Sequence, residues 1–372
     1  MRKHCRQTLR IWKDAALDPL SLPLASDDPG ITLVCVTRNE HWRLPCFLKH
    51  YRQLGVKRFA FIDNNSADAT RDFLAAQTDV DLYICRDVFT VPGQRAWMHK
   101  VMARYGYNRW YLCLDTDELL VYDGMREHLL EDLARRLEKD GNLRPRGMLV
   151  DMYGEGGQAA LPELDACEKV LAHCRYFDVD GYRELCSKHR VRLMGGVRGR
   201  IYAQMGYTEY SPELTKYPLF FLTENDMMIG PHQMFPAWRN FLSERVLGLL
   251  HYKFSKFDFL KIQDALARKI HWNNSEEYSR YDQWFKENPT QEFLYEHSRE
   301  YFSPRDLVES GLINPIGWDR DCSNMLDWRD KANWKDAVRR ERIKYMLKDL
   351  LWLGWRKKDF PQELARLTNY LK

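Results

Sequence analysis

The sequence predicts an α/β fold: a mainly parallel sheet flanked by helices, with a mainly helical extension behind it. Three observations carry this expectation. Short apolar, β-branched runs alternate with segments of helical spacing from residue 31 to about residue 121. Several of those runs end in a polar cluster, as parallel strands do when their carboxyl ends share one edge. From residue 256 onward helical patterning dominates, rich in Trp, Tyr and Phe.

The elements follow in order. Residues 1–30 carry Pro19, Pro23, Asp27, Asp28, Pro29 and Gly30 and read as an N-terminal arm ending in a turn. Ile31–Thr37 is the first expected strand. His41–Gly55 is a helix with Trp42, Cys46, Phe47, His50 and Leu54 on one side. Arg58–Asp63 is a strand, Asp68–Ala76 a helix with Asp68 as N-cap, and Val80–Cys85 a strand. Gln94–Tyr105 is a helix and Trp110–Asp115 the fourth strand. After about residue 145 the pattern loosens. Gly154-Glu155-Gly156-Gly157 is a flexible loop, and residues 154–190 read as an insertion or lid. Further strands are expected at Val197–Ala203, Pro218–Leu222 and Val246–Tyr252. The expected organisation is thus an arm (1–30), a catalytic-type α/β domain (31–255) and a helical region (256–372).

Composition excludes several classes. Of 372 residues, 45% are apolar and 30% charged, which fits a globular chain and not a disordered or collagen-like one. The longest apolar runs fall far short of the roughly 18 residues a membrane span needs, and no secretory signal is recognised, so a cytoplasmic location is expected. The nine cysteines are odd in number and form no CxxC pair, so a disulfide framework is not expected. Cys35, Cys85 and Cys113 lie in apolar runs and read as buried thiols. The net charge of +4 is uneven: residues 331–372 hold 12 Lys/Arg against 5 Asp/Glu, leaving the rest mildly acidic. That is not the charge profile of a nucleic-acid reader. In the basic tail Ile343, Met346, Leu347, Leu350 and Leu351 share a helical face. Peripheral contact with the inner face of a membrane is therefore one expectation, and packing on the protein's own body the other.

The strand ends carry the chemistry. Asp115-Thr116-Asp117 follows an apolar strand and precedes Glu118. Two carboxylates one residue apart at a strand end can converge on one point and suit Mg²⁺ or Mn²⁺, a diphosphate supplying further oxygens. A solvated turn is the plain alternative. Asp63-Asn64-Asn65-Ser66-Ala67-Asp68 and Thr37-Arg38-Asn39-Glu40 end two other strands in the same polar way, either as ligand-binding turns or as Asx turns and helix starts.

Taken together, these segments resemble the family-2-like glycosyltransferases of the GT-A fold. The likeness is strongest to a bacterial subgroup whose core reads roughly T-R-N-E, D-N-x-S-x-D-x-T and W-x-x-x-x-D-x-D-E. The likeness covers residues 31–121, about a quarter of the chain. It implies that Thr37, Arg38, Asn39, Glu40, Asp63, Asn64 and Ser66 embrace the nucleotide of a nucleotide-sugar donor, with Gln94 and Arg95 alongside. It implies that Asp115 and Asp117 hold a divalent cation, Mn²⁺ or Mg²⁺, bridging the diphosphate. Further segments agree less sharply: Gly195-Gly196-Val197-Arg198-Gly199-Arg200, Lys216-Tyr217-Pro218-Leu219, Gly230-Pro231-His232 and Leu250-His251-Tyr252-Lys253. By this resemblance His251 completes the metal site, a core histidine at a strand end being the plain alternative, and the acceptor is a glycan or lipid-linked glycan of a surface polysaccharide or lipopolysaccharide. His232 reads either as an acceptor contact or as a structural histidine, and Arg198 and Arg200, in a glycine-rich stretch, either as donor-site diphosphate contacts or as a solvated strand edge.

The resemblance also implies transfer with inversion, which needs a general base beside the acceptor, normally a carboxylate. Glu224 and Asp226, just before Gly230-Pro231-His232, are the expected candidates, with Asp151 and Glu155 as rivals. The Glu-Asp acceptor motif of many relatives is not recognisable. Two other readings stay open. One is a GT-A-like protein that binds nucleotide sugars without transferring them. The other is a zinc-bearing module built on Cys167, His173, Cys174, Cys186 and His189. An aspartyl-phosphatase reading of Asp115-Thr116-Asp117 fits poorly, because that motif opens the first strand and not the fourth.

Overall fold

A computed structural model describes residues 30–318 except 187–189, 231, 242–245 and 269–271, together with 7–8, 10–12 and 15–19. Its centre is a six-stranded sheet. The strands are β1 (Asp18–Pro19), β2 (Thr32–Thr37), β3 (Arg58–Asp63), β4 (Val80–Ile84), β5 (Arg109–Cys113) and β12 (Leu219–Leu222), in the order β1-β4-β3-β2-β5-β12. β2, β3, β4 and β5 run parallel, and β1 and β12 close the edges antiparallel. The expected mainly parallel sheet is present, and strand order reverses around β2. The register pairs Thr37 with Asp63 and Asp63 with Ile84, so the polar strand ends share one edge.

Strand alternation explains the layers. Leu33, Cys35, Phe59 and Phe61 face helix α1 (Leu44–Gln53), which buries Leu44, Phe47, Leu48 and Tyr51. Val34, Ala60, Ile62 and Tyr111 face the other way. Helix α2 (Thr70–Ala75) packs on β3 and β4. Helix α3 (Val91–Tyr105) covers the second face with Trp97, Val101 and Met102. Both faces of the sheet are covered, so its strands read as continuous apolar runs. α1 has a proline in its first turn and ends at Gly55, whose φ of 89° a side-chain-bearing residue rarely adopts. The Thr90 hydroxyl caps α3 by accepting from the Gly93 amide at 3.0 Å.

A second sheet stands against the first. It contains β6 (Glu118–Val121), β7 (Arg146–Asp151), β11 (Thr215–Lys216) and β15 (Val246–His251), in the order β11-β7-β15-β6. Helix α4 (Leu130–Lys139) packs into the same core through Leu130, Leu133 and Leu137. β15 runs parallel to β7 and antiparallel to β6, pairing His251 with Asp151 on one side and with Glu118 on the other. Gly248 permits this: a Cβ there would lie 2.7 Å from Val121 Cγ2.

Within 154–190 the chain forms a 3₁₀ turn (Gly157–Glu163), helix α5 (Cys167–His173), β8 (Tyr176–Asp178) and β9 (Arg183–Cys186). β9 pairs with β10 (Val191–Met194). The strand expected at Val197–Ala203 is instead helix α6 (Gly196–Gln204). Val197, Ile201 and Tyr202 are its buried apolar residues, a spacing of one helical turn, and Gly195 and Gly196 open it at φ of 127° and 62°. β13 (Met227–Gly230) and β14 (Gln233–Phe235) form a hairpin. Helices α7 (Lys256–Arg268) and α8 (Trp272–Glu287) begin the helical region, followed by β16 (Ser298–Glu300), paired with β8, and helix α9 (Pro304–Glu309). The basic tail 331–372 lies outside the described residues, as does most of the arm. Among the described residues no helix is long and apolar enough to cross a membrane.

Two cysteine expectations change. Cys46 on α1 and Cys167 on α5 form a disulfide with Cα atoms 6.2 Å apart. A pair separated by 121 positions has no local spacing to announce it. The zinc-type cluster does not assemble among the described residues. Cys167 is in the disulfide, Cys174 is buried with its thiol on the Phe254 carbonyl, Cys186 sits on β9, and His189 lies outside the described residues. Cys35, Cys85 and Cys113 are buried thiols, as expected. Cys167→Ser should lower unfolding stability by about 2–5 kcal/mol. Urea denaturation under non-reducing conditions checks this, and reduction should narrow the difference between wild type and variant.

Candidate active site

The first two motif segments lock onto each other. Asn39 and Asn65 sit at φ of 54° and 58°, left-handed conformations that asparagine tolerates better than most residues. The Asn39 amide donates to Ser66 Oγ at 3.0 Å, and Asn39 Oδ1 accepts from the Ala67 amide at 2.7 Å. The Glu40 amide donates to Thr70 Oγ1 at 2.8 Å, and the His41 amide to Asp68 at 3.3 Å. Arg38 donates to the Asn64 carbonyl, and Asn64 Nδ2 ties the end of β4 through the Cys85 and Asp87 carbonyls. Many of these polar groups therefore shape the edge itself. Three acceptors are left over: Thr37 Oγ1, Asp63 Oδ1 and Asn64 Oδ1 are buried with no hydrogen-bond partner among the described residues. Arg71 engages the other Asp63 oxygen at 2.9 Å. Orphaned buried acceptors at a strand edge are costly unless a ligand donates to them.

Beside them lies the acidic triplet. The backbone turns from β5 to β6 through Asp115, Thr116 and Asp117, and the Tyr252 amide pins it by donating to the Asp117 carbonyl at 2.9 Å. This brings Asp117 against His251, with Oδ2 3.6 Å from Nε2. His251 Nδ1 is 2.6 Å from Asp151 Oδ1, and Asp151 in turn accepts from Arg198 Nε at 2.7 Å. The β15 register thus presents one imidazole between two carboxylates. Burial pushes His251 down, but Asp117 and Asp151 outweigh it and raise it above the ordinary imidazole value. Burial likewise opposes ionisation of Asp151, but Arg198 and His251 prevail and bring it down to about 2.

Cations surround the acids. Lys216 Nζ sits 2.7 Å from Asp115 Oδ2 and also pairs with Glu118. Arg43 reaches Glu40 at 3.2 Å, Asp117 at 3.5 Å and Asp258 at 2.6 Å, and Lys261 pairs with Glu40. Burial raises Asp117, yet His251 and Arg43 hold it well below the carboxylate range. Burial pushes the Glu118 carboxyl up to about 7, Lys216 pulling against it and Asp115 pushing with it.

The donor set fits a divalent cation. Asp117, Glu118 and His251 offer ligand atoms within 4.8 Å of one another. His251 Nδ1 is committed to Asp151, so Nε2 is the nitrogen left to coordinate, an orientation typical of metal-bound histidine. Asp115 is 43% exposed in its side chain and stands at the rim of the same cluster. The structure brings Asp115, Asp117 and His251 together. Glu118 is the third acid there but is occupied by Lys216.

Other expected residues fall elsewhere. Gln94 and Arg95 sit in the first turn of α3. Arg95 lies over Gly230, and burial beside Arg190 brings it down to about 10. His232 Nδ1 is 2.6 Å from the Thr215 carbonyl, next to Lys216, and burial pushes it down to about 4. Arg198 is buried on Asp151 and positions that carboxylate; Arg200 is bidentate on Asp178. Glu224 and Asp226, expected as bases, are corrected by topology. β12 runs antiparallel to β5 with Leu222 opposite Arg109, so residues 223–226 emerge at the amino end of β5, a strand length from Asp115. Asp226 is buried there, paired with Arg144 at 2.7 Å and Arg239 at 3.0 Å and accepting from Thr223, while Glu224 is exposed. Of the rivals, Asp151 is locked behind His251, and Glu155 lies on the 154–157 loop beside Tyr176.

Sequence reasoning missed Arg43 and Lys261 and left Lys216 without a role. Arg43 lies three residues past Glu40, and Lys216 opens a quoted segment, so spacing alone could have raised both.

No protein family and no curated protein match this chain by sequence. Solved structures are similar to it in part. Staphylococcus aureus TarS matches at 14% identity over 33% of this chain and 21% of that one, with a TM-score of 0.25. The chain thus spans about a fifth of that TarS structure. A TarS structure of residues 1–349 matches at 8% identity over 85% and 80% of the two chains, with a TM-score of 0.31. HddC from Yersinia pseudotuberculosis matches at 10% identity over 52% and 76%, with a TM-score of 0.27.

Two predictions follow from the electrostatics. Asp226→Ala strands Arg144 and Arg239, and should cost about 3–5 kcal/mol in urea unfolding. The Asp151 carboxylate, held at about 2 against an ordinary 3.8, stabilises the fold above the ordinary value and ceases to as pH falls through about 2. The stability gap between wild type and Asp151→Asn should therefore shrink by about 2 kcal/mol across that window.

Proposed function

We propose that this protein is a metal-dependent glycosyltransferase that moves a sugar from a nucleotide-sugar donor to an acceptor hydroxyl with inversion. The observation that carries the reading is the convergence of Asp115, Asp117 and the braced His251 at the carboxyl edge of the parallel sheet, beside three unsatisfied buried acceptors. Asp117 and His251 Nε2 would hold Mn²⁺ or Mg²⁺, with Asp115 beside them. When bound, the cation offsets the negative charge that builds on the departing nucleoside diphosphate.

The chain's own groups do the rest. Thr37, Asp63 and Asn64 accept hydrogen bonds from a nucleoside, whose hydroxyl and ring N–H groups supply the missing donors. Asn39, Ser66 and Thr70 hold that edge in shape. Lys216, Arg43 and Lys261 set a positive field around the diphosphate, pre-organised because each is already fixed by an acidic partner. Arg95 offers a further guanidinium on the α3 side. His232, neutral at physiological pH, stands on the Lys216 side where an acceptor could hydrogen-bond to it. The acceptor is proposed to be a glycan or lipid-linked glycan. Peripheral membrane contact through the basic tail and a cytoplasmic location remain proposals drawn from the sequence.

Thermal shift tests this reading. A panel of nucleoside diphosphates and their sugars is added with and without Mn²⁺. At ligand concentrations near 100 times Kd, the cognate compound should stabilise the protein by about 2.7 kcal/mol. The shift should need Mn²⁺ and vanish in Asp117→Ala. A folded wild type that responds to no member of the panel would refute the donor site.

A further inference from the structure

A cation taken out of water normally has an anion beside it. Arg95 on α3 is half-buried, yet no carboxylate among the described residues pairs with it, and its buried Nε has no hydrogen-bond partner there. The guanidinium lies against Gly230: a Cβ built on that glycine would stand 2.8 Å from Nη2, 3.1 Å from Cζ and 3.2 Å from Nε. Gly230 pairs with Gln233 across the β13–β14 hairpin, and Gln233 Oε1 accepts from Arg190 Nη1 at 3.0 Å. The end of the hairpin thus carries a guanidinium on each strand. Burial, and after it the Arg190 charge, bring Arg95 down to about 10. Glu213 accepts from Arg190 Nε at 2.5 Å and stands 3.3 Å from Arg192 Nε. Two arginines share that one carboxylate, and Arg95 adds a positive charge that nothing offsets.

The same hairpin touches the acidic cluster. His232, in its turn, has Nδ1 2.6 Å from the Thr215 carbonyl, and the next residue, Lys216, has Nζ 2.7 Å from Asp115 Oδ2. The arginine pair is therefore joined to Asp115 through β11. The three orphaned acceptors proposed for the nucleoside sit elsewhere, at the ends of β2 and β3. Arg95 and Arg190 arrive from different elements, α3 and the segment before β10, so their donors approach from two sides. A planar carboxylate matches one guanidinium fork, whereas a tetrahedral phosphate offers oxygens to both.

We propose that Arg95 and Arg190 bind a phosphate ester carried by the acceptor, an assignment that rests on the glycosyltransferase reading above. The acceptor is then a phosphate-bearing glycan, held at the hairpin so that its hydroxyl reaches the donor past His232. Gly230 makes room for the Arg95 guanidinium, and Gln233 and Glu213 position Arg190.

The test titrates glycerol phosphate into the full chain by calorimetry, in phosphate-free buffer of low ionic strength. Wild type should bind it, and Arg95→Gln should bind it about 10-fold or more weakly. Gly230→Ala removes no charge but crowds the guanidinium, and should weaken binding as well. Without ligand, Arg95→Gln should melt no lower than wild type, because it removes an unpaired cation. Binding to wild type should persist when Mn²⁺ and the nucleoside diphosphate with the largest thermal shift are both saturating. No binding, equal affinity in Arg95→Gln, glucuronate bound as tightly as glycerol phosphate, or displacement by the nucleoside diphosphate would each overturn the proposal. A wild type that binds glycerol phosphate through Arg95 but responds to no nucleotide would keep the phosphate site and overturn the glycosyltransferase reading, and the assignment to an acceptor with it.

Discussion

The structure turns on one imidazole held between two carboxylates. His251 ends β15, and the sheet register leaves it no choice of neighbours: Asp151 ends the parallel strand on one side, and Glu118 begins the antiparallel strand on the other. Backbone pairing therefore does what side-chain attraction alone could not do cheaply. It carries a histidine and an aspartate out of water and sets them beside Asp117, where burial would otherwise favour neutral forms. Arg198 completes the arrangement by compensating Asp151 from α6. Without that arginine, the brace behind His251 would be a buried, half-paired anion.

The same constraint joins the two sheets. The triplet 115–117 is the link between β5 of the first sheet and β6 of the second, so the central sheet's carboxyl edge and the His251 strand meet at these residues. Lys216 arrives from β11 on the far side of the second sheet and pairs with Asp115 and Glu118. Arg43 arrives from the start of α1 and Lys261 from α7. Acids and bases from separate elements thus converge within one neighbourhood. Such a charge-dense, partly buried cluster is expensive as a purely structural device, which marks it as a candidate functional site.

The parallel sheet was legible because its strands are buried on both faces and separated by helices of regular spacing, so Ile31–Thr37, Arg58–Asp63, Val80–Cys85 and Trp110–Asp115 stand out as apolar runs. The strand-end motifs were legible as residues but not as roles. Asn39, Ser66 and Thr70 are polar because two loops bind each other, which a list of polar positions cannot distinguish from contact with a ligand. Val197–Ala203 misled because Val197 and Ile201 suit a strand as well as a helix, and the two glycines before them decided for the helix. Glu224 and Asp226 misled for a topological reason. Their distance from Gly230 and His232 along the chain is short, but β12 runs against β5 and delivers them to the wrong end. The Cys46–Cys167 link was illegible because only the fold brings α1 to the insertion.

The most direct measurement is the anomalous scattering of Mn²⁺ in a crystal of the full chain soaked with Mn²⁺ and a nucleoside diphosphate. One strong peak is expected within bonding distance of Asp117 and His251 Nε2, with His251 Nδ1 still on Asp151, and diphosphate oxygens completing the coordination. A peak bound elsewhere, or His251 turned away from Asp117 with the diphosphate on another surface, would contradict it.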